Sequence, residues 1–378
     1  MKRSVIALFV VVLGLVAGTA DASGQVRWYD PQKADFPVIQ SQGLEELPRQ
    51  GFYHRLPAEA EKTLRSRVWE LSKQSAGESI VFTTDAKEIT VRYTVTLRHA
   101  MPHMPATGVS GVDLYTRDRD GVEVWLAGKY SFKDTVTYRF IDIDVVNKAE
   151  NAQRYTLFLP LYNEVSWMEI GVNEGAEFRF EPLAPVKPVV AYGTSIAQGA
   201  CASRPGMAWS NILQRRLGCP VVNLGFSGSA YLETGMIDVI SKIDASVYLI
   251  DAMPNASSLE SEVLRDTLTK AIRQLRAARP DVPIIIADHL GYPQSKASLH
   301  HREKENRAWE VQKAVYKQLK AEGMKNLHHI PHTEIAMPQD ATVDGSHPTD
   351  YGMLVYADVY EKMLRKVLGR RFFRQIRL

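Results

Sequence analysis

Apolar and polar positions follow two different rhythms along this chain. Up to about residue 182 they alternate in short runs, as in Ser79-Ile80-Val81-Phe82, Glu88-Ile89-Thr90-Val91-Arg92-Tyr93-Thr94-Val95, Glu123-Val124-Trp125-Leu126, Tyr155-Thr156-Leu157-Phe158-Leu159 and Trp167-Met168-Glu169-Ile170-Gly171-Val172. A period of two sends successive side chains to opposite faces, the pattern of half-buried strands. Polar turns such as Asp118-Arg119-Asp120-Gly121 and Asn173-Glu174-Gly175 separate the runs, so this part is expected to be an antiparallel, jelly-roll-like β-sandwich. Pro182, Pro185 and Pro188 then predict a stiff, extended connection.

Beyond it the runs become continuously apolar, at 189–192, 221–224, 247–250, 283–287 and 327–330. They alternate with helical stretches, of which 259–278, 305–322 and 351–368 are the longest. Strands without polar alternation are covered on both faces, which predicts an α/β unit with a parallel sheet between helices. We therefore expect a sandwich domain over 25–182, a linker over 183–188 and a second domain over 189–372. The chain contains no internal repeat and no low-complexity tract.

Residues 1–22 follow neither rhythm. Lys2 and Arg3 precede an apolar stretch from 5 to 16 and the small residues Ala20-Asp21-Ala22, which is the make-up of a cleaved export signal. The stretch is broken by Gly14 and Gly18 and falls short of the roughly 20 apolar residues a membrane span needs. A secreted or periplasmic protein without stable membrane insertion is expected. Of 378 residues, 45% are hydrophobic and 24% charged, a globular balance. Loss of Lys2, Arg3 and Asp21 changes the formal charge from +3 to about +2, which argues against nucleic acid or a strongly anionic substrate as partner. Only the end of the chain is strongly basic: Arg365, Lys366, Arg370, Arg371, Arg374 and Arg377 surround Phe372, Phe373 and Ile376. That pattern fits a solvated helix end or contact with a membrane surface. Cys201 and Cys219 flank a helix expected over 206–217, about 18 Å long, whereas bridged Cα atoms lie within about 7 Å, so both are expected to be free.

The chemistry gathers at the ends of the apolar runs. Gly193-Thr194-Ser195 follows the first, Asn223-Leu224-Gly225-Phe226-Ser227-Gly228 the second and Asp251-Ala252-Met253-Pro254-Asn255 the third. Open α/β sheets bind ligands at the carboxyl ends of their strands. There Ser195 is a candidate nucleophile, while the Ser195 and Gly225 amides and the Asn255 side chain are candidate donors to an oxyanion. Asp344-Gly345-Ser346-His347-Pro348 supplies a histidine with a carboxylate three residues before it, spaced so that Asp344 can hold Nδ1 while Nε2 takes a proton from Ser195. Each element alone has a plainer explanation: a tight turn for Gly225, a helix cap for Asn255, a surface turn for Asp344 and His347.

In order and spacing these blocks resemble the GDSL or SGNH hydrolases, whose Ser, Gly, Asn and His correspond to Ser195, Gly225, Asn255 and His347. Thr194 stands in place of that family's Asp, and Asn255 lies in Asp-x-x-Pro-Asn rather than Gly-x-Asn-Asp, so Asp251 is a competing polar residue. Met104 to Tyr115, with Gly111-Val112-Asp113-Leu114-Tyr115 at its end, is similar to the Gly-x-Asp-Leu-Tyr domain that precedes SGNH domains in some exported bacterial hydrolases. The resemblance implies a flavodoxin-like catalytic domain with no metal or organic cofactor. It also implies a serine esterase acting on a small-molecule or glycan ester, most plausibly an O-acetylated carbohydrate. A lysophospholipase or short-chain lipid esterase, and a non-catalytic glycan-binding protein on the same fold, remain as alternatives. Outside the blocks, Asp288-His289 is a rival dyad, His99 and His103 are four apart in a proline-containing loop, and His328, His329 and His332 cluster around the fifth run. Trp69, Trp125 and Trp167 are aromatic residues that either stack on sugars or fill the core.

Overall fold

A computed structural model describes residues 25–144 and 152–376; the expected export signal and Arg377 lie outside the described residues. Among the described residues the first half forms eleven strands. They are β1 (Val26–Tyr29), β2 (Ile39–Gln40), β3 (Ser79–Thr84), β4 (Ile89–Val95), β5 (Asp113–Arg117), β6 (Glu123–Leu126), β7 (Lys129–Ser131), β8 (Val136–Phe140), β9 (Gln153–Phe158), β10 (Val165–Asn173) and β11 (Phe178–Phe180). Two antiparallel sheets result, ordered β1-β10-β4-β8-β7 and β11-β3-β9-β5-β6, with β2 paired to β3. Ile89, Val91 and Tyr93 of β4 meet Ile80 and Phe82 of β3 and Tyr155 and Leu157 of β9 in one core. This is the expected sandwich, with period-two burial along β4. Two short helices, α1 (Ser66–Ser72) and α2 (Ala106–Val109), interrupt it.

The second half holds five parallel strands, β12 (Val189–Gly193), β13 (Val221–Gly225), β14 (Val247–Asp251), β15 (Ile284–Ala287) and β16 (Leu327–Ile330), in the order β13-β12-β14-β15-β16. That is the flavodoxin-like order, with the direction of winding reversing between β12 and β14. The helices are α3 (Ser195–Gln198), α4 (Trp209–Leu217), α5 (Thr234–Lys242), α6 (Met253–Ala256), α7 (Ser261–Ala278), α8 (Leu299–Ala321) and α9 (Asp350–Ile376). The continuous apolar runs are explained by burial on both faces. Val190 and Tyr192 pack into the core with α5, α7 and α8, and Val189 and Ala191 into the core with α4 and α9. Gly369, with φ of 71°, breaks α9 near the end of the expected helix. Phe372 and Phe373 pack onto the α4 and α9 core and Arg365 lies 4.9 Å from the Phe373 ring, so these aromatics are occupied by the protein itself.

The Gly-x-Asp-Leu-Tyr stretch is where the halves interlock. A Cβ on Gly111 would fall 2.3 Å from the Thr107 carbonyl oxygen, so only glycine fits. Asp113, buried, accepts from the Gly206 amide at 2.7 Å, the Arg204 guanidinium at 2.9 Å and the Trp125 indole at 3.0 Å. Leu114 enters the sandwich core, and Tyr115 bonds Arg204 while its ring lies 4.1 Å from the Arg215 guanidinium.

Candidate active site

Strand β12 delivers Ser195 to the switch point of the sheet. Gly193 ends the strand, and only glycine fits there, since a Cβ would lie 2.6 Å from Ala197 Cβ and 2.8 Å from the Asp251 carbonyl oxygen. Thr194 is fully buried and caps α3, its hydroxyl accepting from the Ile196 amide at 3.3 Å. That accounts for a threonine where an acidic residue was anticipated by resemblance. The Ser195 carbonyl accepts from the Tyr162 hydroxyl at 3.0 Å and from the amides of Gly199 and Ala200, which fixes the residue while its own amide keeps no acceptor among the described residues.

His347 arrives on a loop closed by the bridge between Thr342 and Pro348. Its Nε2 is 2.8 Å from Ser195 Oγ and its Nδ1 is 2.7 Å from Asp344 Oδ2. Asp344 Oδ1 accepts from the Ser346 and His347 amides at 3.0 and 2.8 Å. Burial would raise this carboxyl, but the His347 amide and ring and the Ser346 amide outweigh it and hold the carboxyl down to about 2. The group is therefore an anion at neutral pH. It keeps the Nδ1 proton in place, so Nε2 presents a lone pair to the serine. Exposure rises along the relay: Ser195 is buried, at 8%, whereas the His347 and Asp344 side chains are 23% and 40% exposed.

Asn255 sits in α6, and its Oδ1 accepts from the Ala230 amide at 3.1 Å. With the oxygen so tied, Nδ2 is the free end and finds no acceptor among the described residues. Gly225 does not keep the role expected of it. Its N–H already goes to Asn223 Oδ1 at 2.8 Å, and a Cβ on it would fall 2.2 Å from the Gln198 amide nitrogen, so it is packed under α3 instead of facing the serine. Its constraint is close approach of backbones. Three residues on, Gly228 is exposed, with φ of 64° and nothing within 4 Å of a would-be Cβ. It stands third in the turn closed by the Ser229 amide on the Phe226 carbonyl, and its own N–H has no protein acceptor among the described residues. Gly228, not Gly225, is thus the glycine of this segment with an available donor. The signal for it was present in the Ser227-Gly228 turn but reads the same as any tight turn.

The remaining candidates separate cleanly. Asp251 is sealed in the core, where burial pushes its carboxyl up to about 8, so it does not line the site. Asp288 does not pair with His289: it accepts from Gln312 at 2.7 Å and lies 2.9 Å from His329 Nε2, while the His332 amide binds its other oxygen at 3.0 Å. Burial pushes the His289 ring down to about 3, and its Nδ1 accepts from the Gly291 amide at 3.0 Å. His332 is stacked 3.6 Å from Trp309. His99 faces Phe132, whereas His103 is tilted against His347 with ring centroids 5.8 Å apart. Trp69 is core, Arg92 lies between Trp28 and Trp167, and Arg204 lies 4.1 Å from the Trp125 ring. Cys201 and Cys219 are free and buried, and burial, with Asp344 nearby, raises the Cys201 thiol to about 12.

One residue escaped sequence reasoning altogether. Arg55, fully buried, donates to the Gln74 and Leu71 carbonyls at 2.7 Å each and to the Asn223 and Gly225 carbonyls at 2.9 and 2.8 Å. Burial lowers it to about 10, against the pull of Glu78, whose own carboxyl burial raises to about 8. A lone arginine in Tyr53-His54-Arg55-Leu56 carries no pattern that would reveal this grip on the end of β13.

Residues 186–365 match the GDSL-like lipase/acylhydrolase family, and residues 26–178 match the Gly-x-Asp-Leu-Tyr domain found at the N-terminus of SGNH-hydrolase-type esterases. Among solved structures, a Bacteroides ovatus protein described as a GDSL-like lipase is 28% identical, covering 91% of this chain and 98% of its own, with a TM-score of 0.82. A salicylyl-acyltransferase from a tetracycline biosynthetic pathway is 16% identical over 90% of this chain and 97% of its own, with a TM-score of 0.68. An acetyl xylan esterase from Butyrivibrio proteoclasticus is 10% identical over 91% of this chain and 99% of its own, with a TM-score of 0.51. No protein with a curated description matches the sequence.

Proposed function

Because this chain belongs, through residues 186–365, to the GDSL-like lipase/acylhydrolase family and carries the N-terminal domain of SGNH-type esterases, we propose that it is an exported serine esterase removing a small acyl group, acetyl on a carbohydrate above all. The observation that carries the reading is the unbroken relay from Ser195 Oγ through His347 to Asp344, at 2.8 and 2.7 Å, on a strand end of the parallel sheet. Ser195 Oγ attacks the ester carbonyl carbon while its proton passes to His347 Nε2. The tetrahedral oxyanion is held by the Ser195 and Gly228 amides and by Asn255 Nδ2. Asp344 balances the imidazolium, which then protonates the departing alcohol. Water repeats the sequence on the acyl-enzyme and releases the acid.

The partial exposure of His347 and Asp344 supports a short acyl group on a bulky alcohol over a long acyl chain, which needs an apolar channel. The packing of the half-buried Phe372 and Phe373 onto the α4 and α9 core weakens the alternative of a lipid esterase working at a membrane surface. The likeness of fold to an acetyl xylan esterase is compatible with a glycan ester. Export rests on Lys2, Arg3 and the apolar stretch that follows, and the two domains are taken as 25–182 and 189–372. Hydrolysis of p-nitrophenyl acetate by the wild type and by Ser195→Ala tests the chemistry; equal, slow rates for both would reduce the protein to a binding module. Release of acetate from acetylated polysaccharides, set against a series of longer p-nitrophenyl esters, tests the substrate class. A preference for acyl chains of about eight carbons or more would overturn it.

A further inference from the structure

We infer that His103, Cys201 and His347 form a binding site for a thiophilic divalent cation of the Zn2+ type, and that occupation of this site shuts the enzyme off. The ligand atoms of the three residues all lie within 4.8 Å of one another. They come from three separate segments. His103 is presented by the turn of the sandwich half in which the Met101 and Met104 amides and carbonyls bond reciprocally at 3.0 and 3.1 Å. Cys201 follows α3 in a left-handed conformation, φ 67°, uncommon for a residue with a side chain, and its Sγ reaches the His103 carbonyl at 3.4 Å. His347 comes from the loop before α9.

One thiolate and two imidazoles are the donor set that zinc prefers, the cation displacing the Cys201 thiol proton to solvent as it binds, and hard cations such as Mg2+ do not compete for it. His347 is already arranged as a metal ligand. Its Nδ1 proton is given to Asp344 at 2.7 Å, which leaves Nε2 as the only lone pair and makes the carboxylate-histidine pair that orients metal-bound imidazoles. In the free enzyme that lone pair faces the Ser195 hydroxyl at 2.8 Å. A cation and the serine proton cannot hold it together, so binding displaces Ser195 from its base, with the hydroxyl or a water filling the fourth position. The inhibitory consequence rests on His347 being the base of the proposed esterase; the binding itself does not.

The test uses the full chain in chelator-treated buffer. Zn2+ is expected to abolish p-nitrophenyl acetate turnover reversibly, with recovery on adding EDTA and no effect of Mg2+. Cys201→Ser and His103→Ala, at positions that hold neither the nucleophile nor its base, are expected to turn over within about threefold of wild type. Both should need at least about 10-fold more Zn2+ for half-inhibition, since even second-shell changes cost that much affinity. Binding is read separately by Co2+ absorption, where a thiolate-to-cobalt charge-transfer band should appear with the wild type and vanish with Cys201→Ser. That arm needs no turnover, so it reports on the site even if the esterase reading fails. Equal Zn2+ sensitivity of wild type and both variants, insensitivity of the wild type, or absence of the cobalt-thiolate band would each overturn the site.

Discussion

Replacing Asp344 by Asn is expected to harm the enzyme more than deleting the side chain. The carboxylate divides its work: Oδ1 receives the Ser346 and His347 amides, and Oδ2 receives the imidazole Nδ1 proton. An asparagine keeps the first task with its carbonyl and then turns an NH2 group toward Nδ1. The ring answers by moving its proton to Nε2, where it faces Ser195 as a donor and cannot accept the hydroxyl proton. The fall of the Asp344 carboxyl from 3.8 to about 2 corresponds to about 2.4 kcal/mol in favour of the charged form. With the side chain 40% exposed, solvent screening leaves about 1 kcal/mol, shared between ring and backbone. Asp344→Ala forfeits that and part of the imidazolium stabilisation, while water takes the vacated place and the ring stays free to choose the productive tautomer. A loss of about 10- to 100-fold in kcat follows. Asp344→Asn imposes the wrong tautomer, which in serine proteases costs about 10⁴-fold. Steady-state kcat on p-nitrophenyl acetate near pH 7.5, with circular dichroism confirming the fold, separates the two. If Asn retains more than a tenth of wild-type activity, or Ala falls below Asn, then Asp344 does not set the tautomer of His347.

Asn255→Ala should lower kcat by roughly 10²- to 10³-fold with little change in KM, and an unchanged kcat would remove Asn255 from the oxyanion site. Gly225→Ala should destabilise the protein more than Gly228→Ala in urea unfolding. The first forces a Cβ to 2.2 Å from the Gln198 nitrogen, whereas the second meets open space and only the left-handed backbone cost of about 1 kcal/mol; the reverse order would return Gly225 to the cleft. Asp251, held near 8 in the fold, binds a proton that the unfolded chain releases at about 4, so its contribution to stability falls as pH rises from about 4 to 8. Asp251→Asn should therefore gain stability relative to wild type at pH 9 and not at pH 5, read as the shift in urea midpoint, and a pH-independent difference would refute the buried titration.

Much of the architecture was legible because it rests on burial pattern. The five apolar runs of the second half became β12 to β16 within a residue or so of the expected bounds, since a parallel strand covered on both faces has few other ways to read. In the first half, β1, β2, β5, β7, β8 and β11 were not among the runs singled out. Tyr130 on β7 is exposed and that strand spans only three residues, too few for a period to register. The triad was legible because Asp344 and His347 are local in sequence and Ser195 follows an obvious strand. Gly225 was misassigned because sequence gives the presence of a glycine but not whether its N–H is already used; the deciding partner, Asn223 Oδ1, belongs to a side chain two residues earlier. Arg55 and the docking of His103 against His347 depend on how the two halves meet, which no local pattern encodes.

The grip of Arg55 on the Asn223 and Gly225 carbonyls limits how this protein can be rebuilt. A sandwich that served as a detachable binding module could be exchanged for another without touching the chemistry. Here the exchange would remove the guanidinium that grips the end of β13 and leave two carbonyls of that strand, next to β12, without their charged donor. Any chimera that keeps the α/β half must therefore carry along the segment around Arg55, so the natural cut for engineering lies within the sandwich half of the sequence and not at the proline-rich linker.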